Sequence, residues 1–224
     1  MTSTTASITN PFAQLPSDDP RHLLGRAVEI AGATIDGIGD DQLHLPTPCD
    51  EKDVLEMVGH IVPVVERIVV LGGRGDIMSV VPQISGVGLD ELRAGFAQRV
   101  GGLAEAWADD ARLDEPIRFP WAATDGTGAL AMYSSELTLH TWDLAVATGQ
   151  HPAWDGDVLA VSLAIMQEML PAEGRTEGYQ AVVASLPEGT PVGGQPFGEA
   201  VPVPADAPLI DRLLGWTGRN PAQG

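Results

Sequence analysis

The 224-residue sequence predicts an all-α protein, a four-helix bundle with an extra helix and a Pro- and Gly-rich C-terminal extension. Three observations carry this. Apolar residues recur at alternating three- and four-residue steps in five separate segments, which is the period of an amphipathic helix. Gly and Pro clusters stand between those segments as stop signals. No set of alternating segments is large enough for a sheet domain, and no internal repeat appears. The chain therefore divides into a flexible N-terminal arm over 1–18, a helical bundle over 19–172, and an extension over 173–224 that packs on the bundle.

The arm is assigned because residues 1–18 are rich in Ser and Thr, contain Pro11 and Pro16, and show no apolar period. The first helix begins near Arg21, with Leu24, Ala27, Val28, Ala31, Ile35 and Ile38 at helical spacing, and stops at Gly37 and Gly39. A loop with Pro46 and Pro48 follows. The second helix starts at Asp53, because Asp53 and Glu56 make a capping box ahead of an apolar run. Its stripe is Val54, Met57, Val58, Ile61, Val65 and Ile68, with Pro63 inside it as an expected kink and Gly72, Gly73 and Gly75 as its end.

The third helix carries Leu89, Leu92, Phe96, Val100, Leu103 and Trp107. The connection from Pro116 to Gly128, with Phe119, Pro120 and Trp121, holds a short extended piece. The fourth helix has Leu130, Tyr133, Leu137, His140, Leu144 and Ala147, capped by Gly149. Val158, Val161, Ile165 and Met169 form the fifth, and Pro171 ends it. After the Pro- and Gly-rich stretch from Pro187 to Pro208, a short helix spans Leu209 to Trp216 and closes at Gly218.

Charge narrows the function classes. Thirty-one acidic residues against twelve basic ones leave a net charge of −19. Such a surface repels nucleic-acid backbones and anionic membranes. No run of about 18 apolar residues exists to span a bilayer, and the first residues lack the basic flank and apolar core of a signal peptide. One cysteine, Cys49, excludes a disulfide framework and a Cys-rich zinc module. The expectation is a cytoplasmic protein that acts on small molecules.

Glu136 and His140 lie four residues apart on one helix face, and His140 falls within the apolar stripe. His60 sits in the same way on the second helix. A buried carboxylate needs a cation, a hydrogen bond or a metal. His60, Glu136 and His140 together form a His₂Glu set, the three-ligand pattern that leaves a fourth position open on zinc. An inward histidine is also an ordinary core residue, so on spacing alone the metal site and the core reading both stand. Glu56 repeats the four-residue spacing to His60, but the capping box accounts for it. His22 and His44 read as solvated loop residues and His151 as a surface residue, while Cys49 reads as a small packed side chain rather than a nucleophile. No P-loop, Gly-x-Ser-x-Gly elbow, His-Glu-x-x-His or dinucleotide fingerprint is present.

Three blocks carry a family resemblance. Thr47-Pro48-Cys49 ahead of the helix with His60 is one, and Glu136-Leu137-x-x-His140-x-Trp142-Asp143-Leu144-Ala145 up to Gly149 is the second. The third is Val201 to Pro208 followed by Asp211-Arg212-Leu213-Leu214 and Gly218-Arg219-x-Pro221. In order and spacing these resemble the actinobacterial DinB-like metal-binding proteins, relatives of the N-terminal domain of mycothiol-dependent maleylpyruvate isomerase, over about residues 20–221. The resemblance implies a DinB-like four-helix bundle and a divalent metal, zinc or nickel, on His60, Glu136 and His140. It also implies mycothiol as cosubstrate and a transferase or isomerase reaction on a small electrophile. Lys52 stands where relatives usually have Trp, and residues 173–224 are too few for the isomerase's second α/β domain.

Asp143 is expected to hold a neighbouring ligand or an arginine of the tail, and Trp142 to belong to the core. Arg212 and Arg219 are candidates either for a substrate carboxylate or for structural ion pairs. Three readings are carried forward: a thiol-utilising metalloenzyme, a metal-containing protein that sequesters a small ligand, and a bundle whose metal is structural.

Overall fold

The structure is a computed structural model, and it describes residues 7–49, 52–119, 122–186 and 194–223. Its long helices are α1 (Pro20–Asp36), α2 (Val54–Gly72), α3 (Leu89–Ala106), α4 (Gly126–Thr148) and α5 (Gly156–Met169). Two shorter helices, α6 (Arg175–Ser185) and α7 (Leu209–Trp216), lie in the extension. The strand content among the described residues is one antiparallel pair, β1 (Ile117–Arg118) with β2 (Ala123–Thr124), which is the expected extended piece. Pro120 and Trp121 lie outside the described residues, as do 1–6 of the arm and 187–193 of the extension.

Local chemistry sets the helix ends. Asp53 accepts from the Glu56 amide at 2.8 Å while Glu56 accepts from the Asp53 amide at 3.0 Å, so the capping box closes in both directions. The Thr47 hydroxyl donates to the Lys52 carbonyl at 2.8 Å and to the Cys49 carbonyl at 3.1 Å, folding the Thr-Pro-Cys loop against the start of α2. Lys52 takes part in that start through its backbone carbonyl. Pro63 lies inside α2, as its position in the apolar run required. Gly149, at φ 68°, closes α4, and the Gln150 amide returns to the Ala145 carbonyl.

α1 packs on α4 and α3, and α2 packs on α3 and α4, so four helices enclose the main core. That core includes Leu24, Ile35, Met57, Ile61, Phe96, Trp107, Leu130 and Leu137. The Trp107 indole donates to the Ile68 carbonyl at 2.9 Å, which satisfies its one polar atom in the interior. α4 has a second apolar face. Leu139 and Trp142 meet Leu159, Leu163 and Met166 of α5 and Leu213 and Leu214 of α7. The extension thus packs on the bundle through α7.

Three expectations are corrected. Residues 7–18 are not a free arm: Phe12 is buried in the main core, and the Asn10 side chain donates to the His22 carbonyl at 3.1 Å. This segment crosses α1 where Gly25 and Gly32 leave room, since a Cβ on Gly32 would stand 2.7 Å from Ile8. His22 is accordingly half-buried, with Nδ1 3.2 Å from the Phe12 carbonyl and 3.1 Å from that of Leu15. The third correction is α6, which the composition of the extension concealed. His44 and His151 are exposed, as expected.

The start of α1 yields a pH prediction. Asp19 caps the Arg21 amide and pairs with the Arg21 guanidinium at 2.8 Å, and Arg21 also reaches Asp110 at 2.7 Å. The hydrogen bond from Arg21 holds the Asp19 carboxyl below its ordinary value against the opposing effect of burial. A depressed folded pKa gives stability that is present above the unfolded value and is lost as pH falls through the folded one. Asp19→Ala is expected to cost about 1 kcal/mol at neutral pH through the lost cap. In urea melts the deficit relative to the native chain should shrink below about pH 4. An unchanged deficit at acid pH would show that the charge of Asp19 contributes nothing.

Candidate metal centre

α2 and α4 pack against each other, and this contact decides which polar side chains meet. His60 projects from the middle of α2, and Glu136 and His140 stand one turn apart on α4. The two imidazole rings are edge to face with centroids 4.9 Å apart. His60 Nε2 stands 3.7 Å from Glu136 Oε1, and one donor atom from each of the three residues lies within 4.8 Å of the other two. All three side chains are half-buried, so the cluster opens to solvent rather than being sealed in the core.

Each imidazole is oriented by an oxygen on its far nitrogen. His60 Nδ1 is 3.2 Å from the Pro82 carbonyl. A carbonyl only accepts, so Nδ1 carries a proton and Nε2 is the ring atom turned toward Glu136. The segment with Pro82 is itself held to α2, because the Ile84 amide donates to the Gly59 carbonyl at 2.9 Å and Gln83 Nε2 to that of Glu56 at 2.8 Å. His140 Nδ1 is 3.1 Å from Asp143 Oδ2, which fixes the second ring in the same tautomer.

Asp143 is fully buried, and its second partner comes from the end of the chain. Arg219 donates through Nε to Oδ1 at 2.9 Å and through Nη2 to Oδ2 at 2.8 Å. The turn after α7 delivers this arginine. The Arg219 amide returns to the Leu214 carbonyl and the Gly218 amide to that of Gly215, with Gly218 at φ 87°. A Cβ on Gly218 would stand 2.9 Å from the Gly198 backbone, so glycine is required there on two counts. Of the two arginines considered for a substrate carboxylate, Arg219 is taken up by Asp143. Arg212 is half-buried on α7 and forms no side-chain ion pair among the described residues.

The charges agree with this geometry. Burial pushes the Glu136 carboxyl up, but the approach of His60 and the charges of His140 and Arg67 outweigh it and hold it below its ordinary range. Burial lowers the His140 imidazole, against the pull of Asp143, and so favours the neutral ring a metal needs. For Asp143 the burial penalty is overcome by Arg219 and His140, and the carboxylate stays ionised.

This donor set fits a divalent ion. Two neutral imidazoles and one carboxylate match the ligand types of zinc, whose donors on a common tetrahedral centre lie roughly 3.3 Å apart for bonds of about 2.0–2.1 Å. The 3.7 Å between His60 and Glu136 is close to that spacing and too long for a good hydrogen bond. The carboxylate–histidine pairing behind His140 is the usual support of a ligating imidazole.

Sequence reasoning missed two residues beside the cluster. Arg67 follows His60 by seven positions on α2, and Tyr133 precedes His140 by seven on α4. Helical register alone places each on the face of its histidine, and that was the available signal.

The class of protein defined by fold and cluster is an all-α bundle with a half-exposed His/Glu/His triad between two of its helices. Uncharacterized proteins from two strains of Mycobacterium tuberculosis are similar to it, each 25% identical over 202 residues that span 90% of this chain and 98% of the relative. No protein-family model and no solved structure matches the chain.

Proposed function

We propose that this chain is a DinB-like metal protein in which His60, Glu136 and His140 hold one divalent ion, zinc or nickel, and that it works as a thiol-utilising enzyme. Mycothiol is the proposed cosubstrate, and the reaction is transfer to, or isomerisation of, a small electrophile. The observation that supports this most is the pair of imidazoles whose Nδ1 atoms are both engaged by oxygen, with one donor atom of each ring within 4.8 Å of a carboxylate oxygen. A buried-core explanation of the histidines does not need that arrangement, nor a cluster open to solvent. Three protein donors leave one exchangeable position, which is the property of a catalytic rather than a structural site.

When bound, such an ion lowers the pKa of a coordinating thiol from about 8.5 so that the thiolate forms at neutral pH. The residues divide the remaining work. Glu136 lessens the charge of the site, so that a thiolate completes its neutralisation. Asp143 and the Pro82 carbonyl hold the rings in place. Cys49 is not needed, since the nucleophile arrives with the cosubstrate.

Cobalt-substituted protein tests this reading. Addition of mycothiol should produce a thiolate-to-metal charge-transfer band, which persists in Cys49→Ser and is absent in His140→Ala. Metal bound and water-accessible with no response to any thiol would replace the enzyme by a ligand-sequestering protein.

A further inference from the structure

Beside the triad lies a cation that the fold does not use. In this acidic chain Arg21, Arg26, Arg93, Arg99 and Arg112 all pair with carboxylates, and buried Arg175 donates to the Pro171 and Gly198 carbonyls. Arg67 is half-buried on α2, yet among the described residues its guanidinium has neither an ion pair nor a hydrogen bond. It lies two helical turns beyond His60 on the same face. Long helical side chains lean toward the N-terminus, so its guanidinium covers the turn between Arg67 and His60.

Tyr133 occupies the matching place on α4, two turns before His140 and one before Glu136. It is 5% exposed, its ring stands edge to face with Phe119 at 6.5 Å, and its hydroxyl has no hydrogen-bond partner among the described residues. Arg112 donates to the Leu71 carbonyl near the end of α2 at 2.9 Å and has its own carbonyl against Gly126 at the start of α4, so the two helices run antiparallel and the seven-residue steps lead the same way from the two histidines. The charge of Arg67 acts on both Glu136 and Tyr133. With Glu136 committed to a divalent ion, the site keeps one positive charge from the ion and a second from Arg67. Asp143 and Arg219 cancel. A doubly positive, half-exposed site in a chain of net charge −19 attracts and selects small anions.

We propose that Arg67 and the Tyr133 hydroxyl form the anion-recognition subsite of this centre, and that its ligand carries a carboxylate. The guanidinium takes the carboxylate in a two-point contact while the phenol donates to the same group. This rests on the metal reading above and extends it to substrate class. It also moves the carboxylate contact from Arg212 and Arg219 to Arg67.

The probes are mercaptoacetate, 3-mercaptopropionate and 2-mercaptoethanol, titrated into cobalt-substituted protein and into its Arg67→Gln and Tyr133→Phe variants. Comparing each thiol between native and variant protein cancels its intrinsic acidity. The expected result is at least roughly tenfold tighter binding of one mercaptocarboxylate than of 2-mercaptoethanol in the native chain, the size of one charge-assisted contact. Arg67→Gln should abolish that preference with cobalt content and helicity unchanged, and Tyr133→Phe should reduce it. Equal binding of acid and neutral thiols to the native chain, or a preference that survives Arg67→Gln, overturns the subsite and leaves the metal reading standing. Failure to take up cobalt overturns the metal reading and this inference together.

Discussion

Chains purified without chelator are expected to carry about one divalent ion each, and His60→Ala or His140→Ala should lose most of it. Two remaining donors make a poor site, because each lost ligand removes both a bond and part of the cage. Outer partners of such sites typically account for 10–100-fold in affinity, so a direct ligand should exceed that. Metal analysis after dialysis at a fixed free-metal level gives the measurement. The apo variants should stay folded, since the four-helix core is built from apolar contacts that do not involve the cluster. Their melts should differ from the loaded protein only by the linkage contribution, about 2.7 kcal/mol at a free-metal level 100 times Kd. Full occupancy in a His60→Ala/His140→Ala double variant would show that the ion sits elsewhere, and unfolding by chelator alone would favour a structural metal.

The second large effect belongs to Asp143. Its side chain is fully buried, and Asp143→Ala would leave the Arg219 guanidinium, 13% exposed, without its carboxylate. Breaking one half of a buried pair costs about 3–5 kcal/mol, whereas replacing both halves by apolar groups is often close to neutral. Asp143→Ala should therefore lower Tm by roughly 10 °C in a chain of this size. Asp143→Leu/Arg219→Met should recover much of the loss. The same double variant should not recover metal affinity, because His140 then lacks the oxygen on its Nδ1. A loss below about 1 kcal/mol in Asp143→Ala would mean that the pair is solvated and the tail only loosely attached.

These predictions draw on links of different range along the chain. The helix bounds were readable because their causes are local. The Asp53–Glu56 box, the Gly149 turn and the run from Leu209 to Trp216 each depend on residues within a few positions of one another. The same holds for Glu136 and His140, one turn apart on the same face of α4, and for the inward face of His60. The second apolar face of α4 was harder to read. Leu139 and Trp142 lie off the main stripe, and only α5 and α7 give them something to bury against. α6 was hidden because Gly174 and Gly178 and a run of polar residues dilute its period. The arm misled because Ser and Thr content signals disorder, while a single Phe12 seated in the core outweighs it.

By itself the sequence determined an acidic, all-α chain, the limits of its main helices, and three donors able to share a face. The tertiary structure alone decided that His60 meets His140 across α2 and α4, and that Arg219 reaches back to Asp143. It also decided that Arg67, among the described residues, is left without an ion pair. The physical reason is range. Capping and periodicity act over one to four residues and leave their mark in neighbouring letters, whereas a contact across 76 positions, such as Arg219 with Asp143, exists only once packing has brought the two segments together.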